Sequence, residues 1–466
     1  MNYTTEMIQQ AAQHLATTFK TAILAQARTS GEVPTIARLE EEMREAVRQI
    51  GNQALSLCLS SMQPTPVAER PCPCGGVLHY QRMREATVIS VFGKTTYTRA
   101  YYAGCVCQKG QAPLDKQFGL EPGAVTAGLA QLLALAGIAF SYDESPQWLH
   151  AYLLFDVAAN TVRNETEGMG ALQVQQEDHL IAQSQNPAYL QARQRQPGPV
   201  PSRLYGSIDA AKVRTEPRPK KGEAKAAHED WRDMKVLCWF ETEAVPPSQQ
   251  SKRQQQKVAR EQPALRAKKM QSYCDITEAE SFGKLVWATG CTVNADLCPD
   301  LVFLGDGAPW IWNLVSYYYP HATQIVDWYH AEEHLEKVAS AAFADHARRT
   351  LWLEEVPQAL WEGNVEAVLS ACQTLAPTCV QAAQAVTYFT NNQERMRYAD
   401  FRAAGYMIGS GTIESGCKQI VTQRLKLPGA QWEVAGAVHT AKARAAWLSG
   451  HWPTLCAQRS TLPLAI

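Results

Sequence analysis

No apolar run in this chain approaches the roughly 20 residues that span a bilayer, although 46% of its residues are apolar. That predicts no membrane partner. Met1–Gln10 lack the basic start and apolar core of a secretory signal, and the apolar stretch Leu129–Ala139 is short and internal, so a cytoplasmic location is expected. An excess of charge of one sign is missing too, the net charge being −1. Bulk charge therefore marks no polyanionic partner, and any DNA-binding surface has to be local. Also missing is the short, even-numbered cysteine frame of a disulfide scaffold. The 13 cysteines are odd in number and scattered over 466 residues, which argues for reduced thiols and one candidate metal site.

The length exceeds a single core, and at roughly 100 to 200 residues per domain it predicts several. Residues 1–66 read as an N-terminal helical region. Apolar residues there recur at helical spacing, Arg38-Leu39-Glu40-Glu41-Glu42-Met43-Arg44 forms a charged face, and Gln63-Pro64-Thr65-Pro66 ends the pattern. Residues 67–112 place Cys72-Pro73-Cys74 and Cys105-Val106-Cys107 on either side of alternating segments around Val88, Ser90, Phe92 and Thr95–Tyr102. This is a zinc-ribbon-like hairpin, with Cys72, Cys74, Cys105 and Cys107 as candidate ligands of a structural Zn2+. Both pairs are C-x-C where ribbon knuckles are normally C-x2-C, so two chance pairs, or a ribbon that has lost its metal, stand as the alternative. Residues 113–184 return to helical spacing in Leu129, Leu132, Leu133, Leu135 and Ile138. A break at Phe140–Pro146 and a second short helix give a helix-turn-helix-like DNA-binding region, with Asn160, Thr161, Arg163 and Asn164 near the start of the recognition helix. A plain three-helix packing has the same pattern.

Residues 185–202, with Asn186-Pro187 and Gln196-Pro197-Gly198-Pro199-Val200-Pro201, read as a linker. The remainder, 203–466, alternates strands with helices. Leu204–Ile208 ends in Asp209, Met234–Phe240 is a second strand, Leu301–Gly305 ends in Asp306, and Gln324–Val326 ends in Asp327. Residues 241–273 read as a polar, basic excursion in which Lys252, Arg253, Lys257, Arg260, Arg266, Lys268 and Lys269 face the single acid Glu261 between 251 and 270. Residues 329–404 are helical throughout and read as an insertion. A glycine-rich turn, Ile408-Gly409-Ser410-Gly411, then leads to Glu414 at the opening of a helix. Acids at the carboxyl ends of strands indicate an α/β sheet with its active site on that edge.

Phosphodiester cleavage often uses two magnesium ions roughly 3.5 to 4 Å apart, and such hard cations select carboxylate oxygens. Asp209, Asp306 and Glu414, separated by 97 residues (209 to 306) and 108 residues (306 to 414), are the candidate ligands of Mg2+ or Mn2+. Taken singly, an aspartate at a strand end is as readily a turn or capping residue. Lys252, Arg253, Arg424 and Lys426 are candidate phosphate contacts, with a solvated charged face as the alternative.

Longer motifs narrow the reading. Leu304-Gly305-Asp306-Gly307-Ala308-Pro309-Trp310-Ile311-Trp312-Asn313 and Asp327-Trp328-Tyr329-His330-Ala331-Glu332-Glu333-His334-Leu335 resemble bacterial insertion-sequence transposases of the ISKra type, related to the Mutator-like group. So do Tyr388-Phe389, Asn391-Asn392, Arg395-Met396-Arg397-Tyr398, Ile413-Glu414-Ser415, Cys417-Lys418-Gln419 and Gln423-Arg424-Leu425-Lys426. The resemblance implies a DDE transposase: a multidomain α/β protein whose ribonuclease-H-like catalytic core, with a helical insertion, follows the helical region, the zinc-ribbon-like hairpin and the helix-turn-helix-like region. It further implies Asp209, Asp306 and Glu414 as catalytic acids, Asp327 and His330 as an accessory Asp-x-x-His element, transposon ends and target DNA as partners, and a homo-oligomer. The sequence departs from the family where Asp209 is followed by Ala210 rather than glycine. Two other functions remain open, a ribonuclease-H-like nuclease without strand transfer and a non-catalytic domesticated DNA-binding protein.

Overall fold

A computed structural model describes residues 13, 16–17, 20–21, 35–216, 230–259 and 264–461. Most of the expected helix before residue 35 lies outside these. The protein is a mixed α/β chain with two sheets, and it divides into two compact units, Met1–Met169 with Pro453–Ile466, and Gly170–Trp452. The division falls inside helix Ala159–Ser184 and not in the expected linker. That segment holds a helix, Pro187–Arg195, started by the Asn186 side chain, which accepts from the Ala188 amide. Arg193 fixes it to the second unit through a two-pronged pair with Asp296 at 2.8 and 3.1 Å. A proline-rich composition read as loose is thus pinned by one buried charge pair.

In the first unit a three-stranded antiparallel sheet runs β1 (Glu69–Pro71), β2 (Val77–Ser90) and β3 (Gly93–Ala103). Gly93, at φ +93°, closes the tight turn opposite Ser90, a conformation open to glycine without strain. Helix Ile36–Ser61 lies against β3, Asn52 donating to the carbonyls of Phe92 and Lys94. Leu59, Ala86, Val88, Tyr97 and Leu114 are buried together beneath it. A second cluster joins helices Ala127–Ala139, Ser145–Leu153 and the start of Ala159–Ser184 through Leu129, Leu133, Leu149 and Val162. Helix Trp452–Thr461, expected with the C-terminal domain, contributes Arg459 to this unit by a 2.9 Å pair with Glu165.

The second unit is built on a five-stranded sheet, β4 (Leu204–Thr215), β5 (Asp230–Ala244), β6 (Leu265–Asp275), β7 (Leu301–Gly305) and β8 (Thr323–Val326), in the order β6-β5-β4-β7-β8. The first three are antiparallel; β7 and β8 run parallel to β4 and to each other. β7 is buried at all five positions, as a central parallel strand should be. The excursion 241–273 is not a loop: it contains β6, which extends the hairpin. Three of its basic residues face acids of β5, Arg266 opposite Glu243, and Lys268 and Lys269 beside Glu241. Between β8 and helix Gly411–Cys417 come five α-helices, Trp328–Ala342, His346–Trp361, Val365–Leu375, Val380–Asn392 and Tyr398–Ala403, in the stretch read from sequence as helical throughout. Among the described residues no helix is long and apolar enough to cross a membrane.

Candidate functional site

Two clusters of potential ligands result, one in each unit. In the first unit the knuckles Cys72–Cys74 and Cys105–Cys107 meet at the open end of the β2–β3 hairpin. Their four sulfurs all lie within 4.8 Å of one another. Cys74 is 3.3 Å from both Cys72 and Cys105, and Cys72 is 3.6 Å from Cys107. A zinc ion at ~2.3 Å from each thiolate would need sulfurs about 3.8 Å apart, so the cluster could hold a structural zinc with little movement. The C-x-C spacing works because backbone turns do what a longer knuckle does. Gly75 at φ +90° donates to the Cys72 carbonyl, and Gln108 at φ +59° donates to that of Cys105. Gly76 leaves room for the neighbouring sulfur, since a Cβ there would sit 2.6 Å from Cys105 Sγ. The Gly76 amide and the adjacent thiols bring Cys74 down to about 7. The Cys74 amide draws Cys72 the other way, yet burial and its sulfur neighbours leave it pushed up to about 12.

In the second unit the carboxylates gather where the parallel strands end. β4 and β7 pair from Leu204 opposite Leu301 to Ser207 opposite Leu304. Continuing that stagger brings Asp209 level with Asp306, on the same face as Ser207 and Leu304. Asp209 does not end its strand as expected: β4 continues to Thr215, and Asp209 stands where its neighbour β7 has stopped. Burial lifts the Asp209 carboxyl above its ordinary range, the Ala210 amide at 2.7 Å draws it back, and the Asp306 charge raises it again. The Cys417 thiol donates to Asp209 Oδ2 across 3.5 Å, which ties helix Gly411–Cys417 to β4. Glu414, three residues before Cys417, is exposed, and Ser410 Oγ donates to its Oε1 at 3.2 Å.

Asp306 sits in a braced turn. Its side chain accepts from the Ala308 amide at 2.9 Å and its carbonyl from the Tyr388 hydroxyl at 3.0 Å. Asn392 donates to the Gly307 carbonyl at 3.3 Å, and His334 stacks on Tyr388 with ring centroids 3.9 Å apart. Burial, then the charges of Lys337 and His330, hold His334 below the usual histidine value. Asp327 is fully buried. It caps helix Trp328–Ala342 by accepting from the His330 amide at 2.7 Å, and its other oxygen accepts from the Ser410 amide. It therefore joins the end of β8 to the glycine turn that carries Glu414. His330 and Glu414 line one cleft of about 940 Å³ with Tyr329, Tyr406, Ser415 and Lys418.

Asp209, Asp306, Asp327, His330 and Glu414 are thus brought to one end of the sheet, but the three acids are not drawn into a closed cluster. Among the described residues, the cysteines are the one group of three or more potential ligands that converges. The candidate DNA contacts divide. Lys426 and Lys252 are exposed, and the side chain of Arg253 lies outside the described residues. Arg424 is buried, 2% exposed, with its guanidinium 5.0 Å from the Trp432 ring centroid, so it is a packing cation and not a surface one. Thr161 stands in the first turn of helix Ala159–Ser184, and Arg163 there is half-buried and held by Glu167 at 2.7 Å. Tyr388, Asn392, Ser410 and Cys417 were not singled out from sequence. All four lie inside motifs quoted above, which was their only signal. No protein-family model matches the chain, and a search of curated proteins finds no match.

Proposed function

We propose that the second unit is the catalytic core of a DDE transposase that cleaves the ends of an insertion sequence and joins them to target DNA. The observation that carries the reading is the stagger of the parallel strands β4 and β7, which sets Asp209 level with Asp306 just past the end of β7, with the Glu414 helix tied to Asp209 through Cys417. The sheet order, three antiparallel strands followed by two parallel to the first, supports a ribonuclease-H-like core, and the helices between β8 and Glu414 fit an insertion in it. The donor set suits a hard cation: of two neighbouring carboxylates, Asp209 is lifted by burial and then by the charge of Asp306, and a divalent ion would favour its ionised form. Asp209, Asp306 and Glu414 would hold Mg2+ or Mn2+, which when bound supplies Lewis acidity at phosphorus.

The chain's own groups do the rest. His330 and Lys418 face the cleft that holds Glu414 and offer hydrogen-bond donors to an anionic backbone, while Asp327 fixes the helix on which His330 stands. In the first step water displaces the 3′ oxygen of the scissile phosphodiester, leaving a 3′-hydroxyl and a 5′-phosphate. In the second that hydroxyl attacks a target phosphodiester, so one bond forms as one breaks. An assay with labelled terminal repeats and a target plasmid tests both. Asp306→Ala should reduce cleavage and joining by roughly 10³-fold, about 4 kcal/mol of barrier, while leaving the fold unchanged. Equal activity in both proteins overturns the site; cleavage without joined products makes the protein a nuclease.

A further inference from the structure

Nine arginines stand in the described part of the first unit, and six are committed within it. Arg38, Arg48, Arg99, Arg163 and Arg459 pair with Glu42, Glu45, Asp115, Glu167 and Glu165. Arg44 donates to the carbonyls of Ala151 and Tyr152. Arg70, on β1, and Arg82 and Arg84, on β2 of the cysteine-ended hairpin, have no carboxylate or carbonyl partner among the described residues. Arg82 and Arg84 are exposed. The register sets Arg82 opposite Tyr101 and Arg84 opposite Arg99, so these four share one face. Arg99 is neutralised there by Asp115, and alternation sends Glu85 to the other face. The Arg84 guanidinium lies over the Tyr101 ring, 5.2 Å from its centroid, and that of Arg70 over Tyr102 at 5.6 Å. Stacking orients a guanidinium plane while leaving its N–H edge free for a bidentate anion.

We infer that this hairpin face binds the phosphate backbone of duplex DNA. Arg82 and Arg84, two residues apart on one strand, are about 6.7 Å apart along it, a step that long side chains can match to successive phosphates. Two exposed cations without an acid partner, one of them held on an aromatic ring, suit a polymer of regular charge and give backbone contact without base readout.

The test uses the full chain, a random-sequence 20-base-pair duplex and fluorescence anisotropy between about 50 and 200 mM salt, without added Mg2+ or Mn2+ and without chelator, so that no cleavage is required and any zinc stays in place. Each phosphate contact contributes about 0.9 to the slope of log affinity against log salt. Arg82→Ala/Arg84→Ala should therefore shrink the slope by about 2 and weaken binding to every sequence alike. Arg82→Ala alone, which touches no ring, should shrink it by about 1. Arg82→Lys/Arg84→Lys and Arg38→Ala should keep the parent slope. An unchanged slope in both alanine variants overturns the inference, as does binding of single-stranded RNA or poly-glutamate in preference to the duplex. The result is independent of the proposed chemistry: failed joining by the parent chain leaves the slopes untouched.

Discussion

The two ligand clusters differ in closure. The four cysteine sulfurs already stand within bonding range of one ion, whereas Asp209, Asp306 and Glu414 share one end of a sheet without converging. Metal sites that build a fold are closed by protein ligands, and sites that do chemistry leave positions for water and substrate. The comparison assigns the cysteines to the stability of the hairpin. It assigns the carboxylates to a place whose shape is fixed by backbone and neighbours rather than by a bound ion. On the proposed reading, ligands would hold the fold in the first unit, and the fold would hold the ligands in the second.

The sharpest way to break this contrast is to remove metal from each place. Cys72→Ser/Cys105→Ser should abolish zinc content, about one ion per chain by atomic absorption in the parent. It should cost zinc-linked stability on the order of 10 kcal/mol, with the hairpin no longer folded. A strong chelator should have the same effect on the parent. Neither treatment should lower the melting transition of the second unit. If metal-free protein keeps the first unit's transition unchanged, the cysteines are a packing cluster and the contrast fails.

A smaller effect is expected from the turn that presents Asp306. Gly307 has φ +97°, and a Cβ there would lie 2.6 Å from the Tyr388 ring. Gly307→Ala therefore combines a left-handed backbone with a steric clash, at a cost of roughly 1–3 kcal/mol. Thermal melts of the second unit should register the loss whether or not divalent metal is present. Gly305→Ala, whose nearest neighbour would be 3.3 Å away, should cost less. Recovery of the Gly307→Ala loss on adding Mg2+ would mean that the ion, and not the backbone, shapes the site.

Much of this arrangement was legible in the sequence. Asp306 and Asp327 end short apolar strands and Glu414 follows a glycine turn, so local pattern sufficed for them. Asp209 was found but misplaced at a strand end, because the apolar run stops at Ile208 although the strand does not. There the neighbour β7 has ended, and Asp209, Ala210 and Ala211 are only partly buried and Lys212 exposed before burial resumes at Val213. β6 was missed because its outer half is held by Arg266 and Lys269 against Glu243 and Glu241, charge pairs that leave no apolar alternation to read. The linker was misread for a related reason, Arg193 finding Asp296 only in the folded unit. Tyr388 and Cys417 work across 82 and 208 residues, distances no local pattern reaches. Arg424 looked like a surface cation because nothing in its spacing announces the Trp432 ring.

The mildest change sharpens the comparison from the carboxylate side. Asp209 is held above its ordinary range by burial and by Asp306, so ionising it at neutral pH opposes folding. The folded state binds that proton more tightly than the unfolded chain. The contribution to stability is therefore complete below the ordinary carboxyl range, near pH 4, and is lost as pH rises through the elevated folded value. Asp209→Asn removes the charge and keeps the shape. It should raise the melting temperature of the second unit at pH 7 by a few degrees, on the order of 1 kcal/mol, and the gain should vanish as pH falls toward 4. The same substitution should abolish joining. A cysteine-to-serine change, by contrast, should lose stability at every pH where zinc binds. A stability gain coupled to lost activity marks a residue kept at a cost to the fold, and a stability loss in Asp209→Asn at pH 7 would place Asp209 among the residues that hold the fold.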